Sequence, residues 1–215
     1  HNQDRNPKIA GANFCEIINN IVYNWQFGST KIDGSRSETK VHVTGNYYKT
    51  GMNTKQKSVI QVYSGAKLYS ENNIGHGSLI GNNDISDNVN GNGSFLVFTP
   101  LFVPSGIDMQ NAIDAYDLVL NYAGAITPRR DHVDQRIIQS VKNKTGQLIN
   151  SQYDVGGWPS LDLGTPLEDS DHDGIPDEWE LSHNLNPKDS SDSKKDRTGD
   201  GYTNIEDYLN GLIPL

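Results

Sequence analysis

The sequence predicts an all-β fold, a partial parallel β-helix with flanking short helices and a small acidic tail, and three observations carry that prediction. The first is composition. The 215 residues include 23 Asn and 21 Gly, with 34% hydrophobic and 8% aromatic residues. A helical bundle needs more Leu, Ala and Glu. Ten Tyr, three Trp and repeated β-branched runs argue against disorder. The second is a repeat of 20–26 residues with one set of short strands per turn. The third is a charge break near residue 160. From Ser160 onward 14 acids and 4 bases give −10, whereas residues 1–159 hold 13 acids and 14 bases, giving +1.

The strands come first in the chain. Residues 13–24 (NFCEIINNIVYN) and 41–49 (VHVTGNYYK) are β-like runs punctuated by Asn. Offsetting one by 26 residues places Ile17 on Val43, Asn20 on Asn46 and Ile21 on Tyr47. Residues 59–69 supply a third run. Residues 94–103 supply a fourth, after the Asn/Gly stretch 82–93. A coil cannot bury its inner face alone, so like residues stack on like residues, and an Asn at a turn can bond the Asn of the next coil. An antiparallel sandwich of similar strand spacing would give a comparable pattern. Residues 1–106 are assigned to the coils.

Residues 107–160 change register. Ala112, Ala115, Tyr116, Val119 and Leu120 fall at helical spacing, and residues 131–141 repeat the pattern. Two short helices joined by 124–130 are expected, capping or flanking the solenoid and shielding its last coil. A linker at 156–167 leads into the tail, residues 161–215.

The tail carries cation-binding spacing twice. In residues 169–180 (DSDHDGIPDEWE), Asp169, Asp171, Asp173, Asp177 and Glu180 occupy positions 1, 3, 5, 9 and 12 of an EF-hand-like loop. Gly174 is at position 6, and Ile175 offers its carbonyl at position 7. Alternate side chains of a tight turn converge on one ion, Gly permits the bend, and the last Glu can chelate with both oxygens. In residues 196–207, Asp196, Thr198, Asp200, Asn204 and Asp207 repeat the pattern around Gly201, with Thr198 in place of an acid. Calcium is the expected ion. Without it the first three aspartates repel one another.

Several classes are excluded or disfavoured. No basic field exists to attract a nucleic acid. No apolar run approaches membrane-spanning length; the longest candidate, 95–103, is broken by Thr99 and Pro100. Cys15 is the single cysteine, so no internal disulfide forms. Cys15 reads as a small apolar residue, and no phosphate loop or Ser-His-Asp arrangement is visible. Trp25 and Trp158 read as core or cap residues, with sugar stacking as the alternative. The chain opens on a dense motif without a leader, so it reads as a mature product or a fragment.

That opening motif carries a resemblance. Asp4-Arg5-Asn6-Pro7-Lys8, Gly11, Asn19-Asn20 and Tyr23-Asn24-Trp25 resemble, in order, the signature of the pectate lyases of polysaccharide lyase family one. Gly45-Asn46-Tyr47-Tyr48-Lys49, Asp114-Ala115-Tyr116-Asp117, Pro128-Arg129-Arg130-Asp131 and Asp154 to Pro159 resemble later parts of bacterial members. The acidic tail is similar to that of many secreted lyases. The resemblance covers nearly the whole chain, and its specificity lies in the combination.

The resemblance implies a right-handed parallel β-helix that binds polygalacturonate (pectin) in a groove and cleaves it by β-elimination. It implies that Arg5 removes the C5 proton, that calcium bridges enzyme and uronate, and that the protein is secreted or extracellular, with a bacterial periplasm or cell surface as the alternative locations. The family's second Arg position is Ala10 here, so Lys8 is expected to hold a substrate carboxylate instead. Arg36, in the loop 31–38, is a candidate to line the groove. The family's substrate-site calcium ligands and assisting Lys precede its Arg-x-Pro motif. The chain is therefore expected to be the C-terminal part of a longer lyase, with an upstream β-helix fragment as partner. An arginine base is unusual, because its pKa lies above about 12. A carboxylate clamp fits the same residue. The competing function is a non-catalytic, calcium-dependent module that binds acidic glycan.

Overall fold

A computed structural model describes residues 2–56, 58–75, 95–126, 129–160 and 164–212, and the backbone of 78–80 and 89–90. Most of the Asn/Gly stretch 82–93, Pro128 and part of the linker 156–167 lie outside the described residues. Strands β1 (Lys8–Ala10), β2 (Cys15–Ile18) and β3 (Ile21–Tyr23) form one coil, and β4 (Thr30–Asp33), β5 (Thr39–Thr44) and β6 (Tyr47–Lys49) the next. The third coil is β7 (Ile60–Val62), β8 (Ala66–Glu71) and β9 (Asn73–Gly75). Beyond it come β10 (Ser78–Ile80), β11 (Val89–Asn90) and β12 (Leu96–Val97).

Strands from successive coils line up in three sheets, ordered β1-β4-β7-β11, β2-β5-β8-β12 and β3-β6-β9-β10. All pairings are parallel except β9 with β10. This is a parallel β-helix. The expected offset is the observed register: Ile17 lies against Val43 and Ile21 against Tyr47.

Stacking of like on like builds the core. Val41 and Leu68 are adjacent and fully buried, as are Ile32, Ile60 and Tyr48. Trp25 is fully buried, donates from Nε1 to the Gln56 carbonyl at 2.7 Å and meets Tyr48 edge-on. The asparagines form a ladder. Asn46 Oδ1 accepts from the Asn20 backbone N–H at 2.9 Å, and Asn73 Oδ1 accepts from the Asn46 backbone N–H at 2.9 Å. Asn46 and Asn73 are wholly buried, so each side chain serves as a structural bracket between coils.

Two helices follow: α1 (Ala112–Tyr122), capped by Asn111, and α2 (His132–Asn143), capped by Asp131. They flank the coils, with α1 lying beside β6 and β9. Tyr116 packs on Tyr47 at 4.5 Å, and its hydroxyl accepts from Lys49 Nζ at 2.6 Å. The reason is chemical: the outer faces of β3 and β6 offer Tyr23, Tyr47 and Lys49, which pair with Thr145, Tyr116 and the Lys142 carbonyl. The connecting segment is pinned on the way. Leu101 N–H donates to His42 Nε2, Ser105 N–H to Glu16, and Gln110 exchanges two hydrogen bonds with Asn19.

The chain divides into two compact units, His1–Gly124 with Asp131–Trp158, and Ala125–Arg130 with Pro159–Leu215. The second contains the short helices α3 (Asp177–Ser182) and α4 (Asn204–Gly211).

Candidate functional site

Arg5 precedes β1 in a left-handed conformation, φ +64°, which costs a β-carbon residue about 1–2 kcal/mol. Its neighbours hold it there. Gln3 C=O accepts from Gln26 and Phe27 N–H, and Asn6 donates from its backbone to Ser29 C=O and from its side chain to Gly28 C=O. The guanidinium is 68% exposed, with Asp4 at 4.0 Å.

The outer face of the first sheet continues the pattern. Lys8 lies beside Lys31 in register. Lys8 Nζ is 2.8 Å from Asp33, and Lys31 Nζ is 2.6 Å from Asp4. The hydrogen bond from Lys8 holds the Asp33 carboxyl well below the ordinary carboxylate range. Lys8, expected to hold a substrate carboxylate, has Asp33 as a partner within the chain. Arg36 stands exposed in the bend after β4. Asp4, Lys31 and Asp33 escaped the sequence reading as site residues. The signal that could have found them is the offset of 23 between Lys8 and Lys31.

Beside this face, the end of the first coil opens into an apolar cleft of about 880 Å³. Ile9, Cys15 and Ile17 line one wall, and Leu120, Ile138 and Val141 from α1 and α2 the other. Cys15 is half-buried here, its thiol pushed up by burial and by Glu16. Trp158 is 77% exposed, contrary to the core or cap position expected of it; it sits in a glycine turn at the edge of its unit.

The two Asp-rich loops share one architecture. Asp169 Oδ2 accepts from Gly174 N–H, and Asp196 Oδ2 from Gly201 N–H, so position 6 bonds to position 1 in both. Asp173 accepts from Ile175 N–H and Asp200 from Tyr202 N–H, so position 7 bonds to position 5. Gly174 and Gly201 both sit at φ +97°, where a side chain is strained. Helices α3 and α4 both start at position 9. Ile175 is fully buried, leaving its carbonyl on the loop.

Carboxylate oxygens of Asp169, Asp171 and Asp173 converge, and so do those of Asp173, Glu180 and Asp192. Burial and neighbouring acids, Asp171 foremost, push Glu180 up to about 7. Asp177 turns instead to Ser170, accepting from its N–H and hydroxyl at 2.7 Å each. In the second loop Asp207 Oδ2 is buried without a donor, while Thr198 bonds Asp196. Asn204 is spent on structure: it donates to the Asp192 carbonyl and accepts from Arg197 N–H. Among the described residues, both acidic triads belong to the second unit.

No family model matches the chain. Curated relatives do. The chain is 35% identical over 220 residues to "Probable pectate lyase C" of Aspergillus oryzae, an alignment covering 99% of this chain and 51% of that protein. It is 34% identical over 220 residues to the protein of the same name from Neosartorya fischeri, with the same coverage. It is 33% identical over 219 residues to that of Emericella nidulans, covering 99% and 50%. The chain spans about half the length of the curated relatives it matches, and these relatives are fungal.

Proposed function

We propose that the chain forms part of a polysaccharide lyase that cleaves de-esterified polygalacturonate, and that Arg5 is the group that takes the C5 proton. The observation that carries the reading is the match to proteins named pectate lyase across 99% of the chain, and Arg5 is an exposed, conformationally strained cation just before β1.

The chemistry is β-elimination. The base removes the proton on C5, next to the uronate carboxylate. The electron pair forms the C4–C5 double bond, and the C4–oxygen bond breaks to release the other sugar chain. An arginine acts as base when neutral, which alkaline pH favours. Lys8 and Lys31, both on the outer face of the first sheet, give the polyanion a cationic track whose charges Asp33 and Asp4 fix in place. Calcium at the substrate carboxylate is implied by the family resemblance, in which its ligands precede the Arg-x-Pro motif. No step is therefore assigned to it here.

The Asp-rich loops are read as calcium sites that stiffen the tail. The orphaned buried oxygens of Asp171, Asp173, Glu180 and Asp207 fit a cation. Millimolar calcium outside the cell suits such sites, and a secreted location goes with this reading. The apolar cleft on the first coil is read as the seat of a further β-helix coil.

The test is cleavage of polygalacturonate with calcium at alkaline pH, followed by the ultraviolet absorbance of unsaturated uronates. Arg5→Ala is expected to lower the rate about a hundredfold or more with the fold intact. Undiminished activity in that variant rules out Arg5 as base. A non-catalytic glycan-binding module is the second reading, favoured by Ala10; it predicts binding without any absorbance change.

A further inference from the structure

We propose that Asp192, which belongs to neither Asp-rich loop, is a ligand of the first loop's cation site. The inference rests on reading residues 169–180 as a calcium loop and changes what that site consists of.

The polar atoms of this region leave a specific deficit. Glu180 is fully buried, and neither carboxylate oxygen has a hydrogen-bond donor. Asp192 is 5% exposed. Its Oδ2 accepts from Asn186 N–H at 3.0 Å, while its Oδ1 has no donor. Both oxygens of Asp171 and Oδ2 of Asp173 are also buried without a donor. The ligand atoms of Asp173, Glu180 and Asp192 lie within 4.8 Å of one another, and Asp173 belongs as well to the triad with Asp169 and Asp171. Buried carboxylates without donors are strongly unfavourable unless a cation joins them.

The donor set selects the ion. Every ligand is a carboxylate or carbonyl oxygen, which suits a hard cation, and a site with this many protein oxygens fits calcium better than magnesium, which keeps its waters. Asp192 also fills a gap. Asp177, at position 9 of the loop, is engaged by Ser170 and turned from the cluster. Asp192 supplies a carboxylate in its place from the turn before the second loop.

This placement links the loops. The Asp192 carbonyl accepts from Asn204 Nδ2 at 2.7 Å, and Asn204 Oδ1 accepts from Arg197 N–H. A cation that fixes Asp192 therefore also fixes the start of the second loop, and the tail binds calcium as one unit.

The experiment is calcium titration of the intact, calcium-stripped chain by calorimetry, with terbium luminescence excited through Trp179 as a second readout. Asp192→Asn keeps the acceptor for Asn186 N–H but removes the charge. It is expected to weaken the tightest calcium step about tenfold or more, as is Glu180→Gln. The surface control Asp189→Asn is expected to stay within about threefold of the parent. Asp192→Glu, which restores the charge, is expected to bind more tightly than Asp192→Asn. If Glu180→Gln loses calcium while Asp192→Asn binds like the parent, or if the Asn and Glu variants at 192 lose equally, Asp192 is not a ligand although the loop reading stands. If the parent takes up no calcium, the loop reading fails and the proposal with it.

Discussion

Replacing Asn46 with alanine tests the central packing claim, that buried asparagines bracket the coils. The Asn46 side chain has no solvent exposure. Its Oδ1 accepts from the backbone and side chain of Asn20, and its Nδ2 donates to the carbonyls of Ile17 and Thr44 and to Asn73 Oδ1. Alanine leaves the part-buried Asn20 N–H without this acceptor, at about 1–3 kcal/mol. It also removes one bond from each of two carbonyls, at about 0.5–1.5 kcal/mol each. The expected loss is about 2–6 kcal/mol, a large share of the roughly 5–15 kcal/mol of a whole domain, with a fall in Tm of order 10 °C. Urea unfolding followed by far-ultraviolet circular dichroism, at fixed calcium, measures it. Asn46→Asp keeps the acceptor but loses the donations and buries a charge, so it should be no milder than alanine. A loss below about 1 kcal/mol for Asn46→Ala, or a benign aspartate, refutes the reasoning.

Two further outcomes follow from other parts of the fold. His42 is buried, stacked on Phe102 and edge-on to Tyr69, with Glu16 at 3.7 Å, and its Nε2 accepts from Leu101 N–H. Burial lowers its pKa, with Glu16 opposing. The folded state therefore binds fewer protons than the unfolded chain, and stability present above about pH 6.5 is lost as the pH falls through the lower folded value. Faster hydrogen exchange at the Leu101 amide on acidification is the expected sign, and a rate unchanged after correction for intrinsic pH dependence contradicts it. At Gly34 a β-carbon would lie 2.0 Å from the carbonyl carbon of Gly65 on the next coil. Since backbone cannot yield as a side-chain tip does, Gly34→Ala should cost about 3 kcal/mol or more; a Tm within about 2 °C of the parent argues against that close approach.

The coils were legible because their interior positions obey one rule. Ile17 on Val43 and Ile21 on Tyr47 follow from stacking like on like at a fixed offset, and the Asn20–Asn46 bracket follows from the same offset. The helices were legible from their periodicity, but the sheet they cover was not. Which sheet they cover depends on tyrosines and a lysine, Tyr23, Tyr47 and Lys49, that face outward and carry no periodic signal. The Asp-rich loops were legible as loops, since glycine at φ +97° and alternate aspartates are local requirements.

By itself the sequence determined what is local or strictly repeated: the coil, the asparagine ladder, the two helices and the two acidic turns. The tertiary structure decided what touches across unequal loops. The offset is 26 residues from Cys15 to Val41, but 23 from Lys8 to Lys31 and 30 from Lys31 to Gln61. Loops outside the core are free to vary in length, because only the strands must stack. The pairs Lys8–Asp33 and Asp4–Lys31 around Arg5, and the approach of Asp192 to Glu180, therefore exist only once the chain has folded.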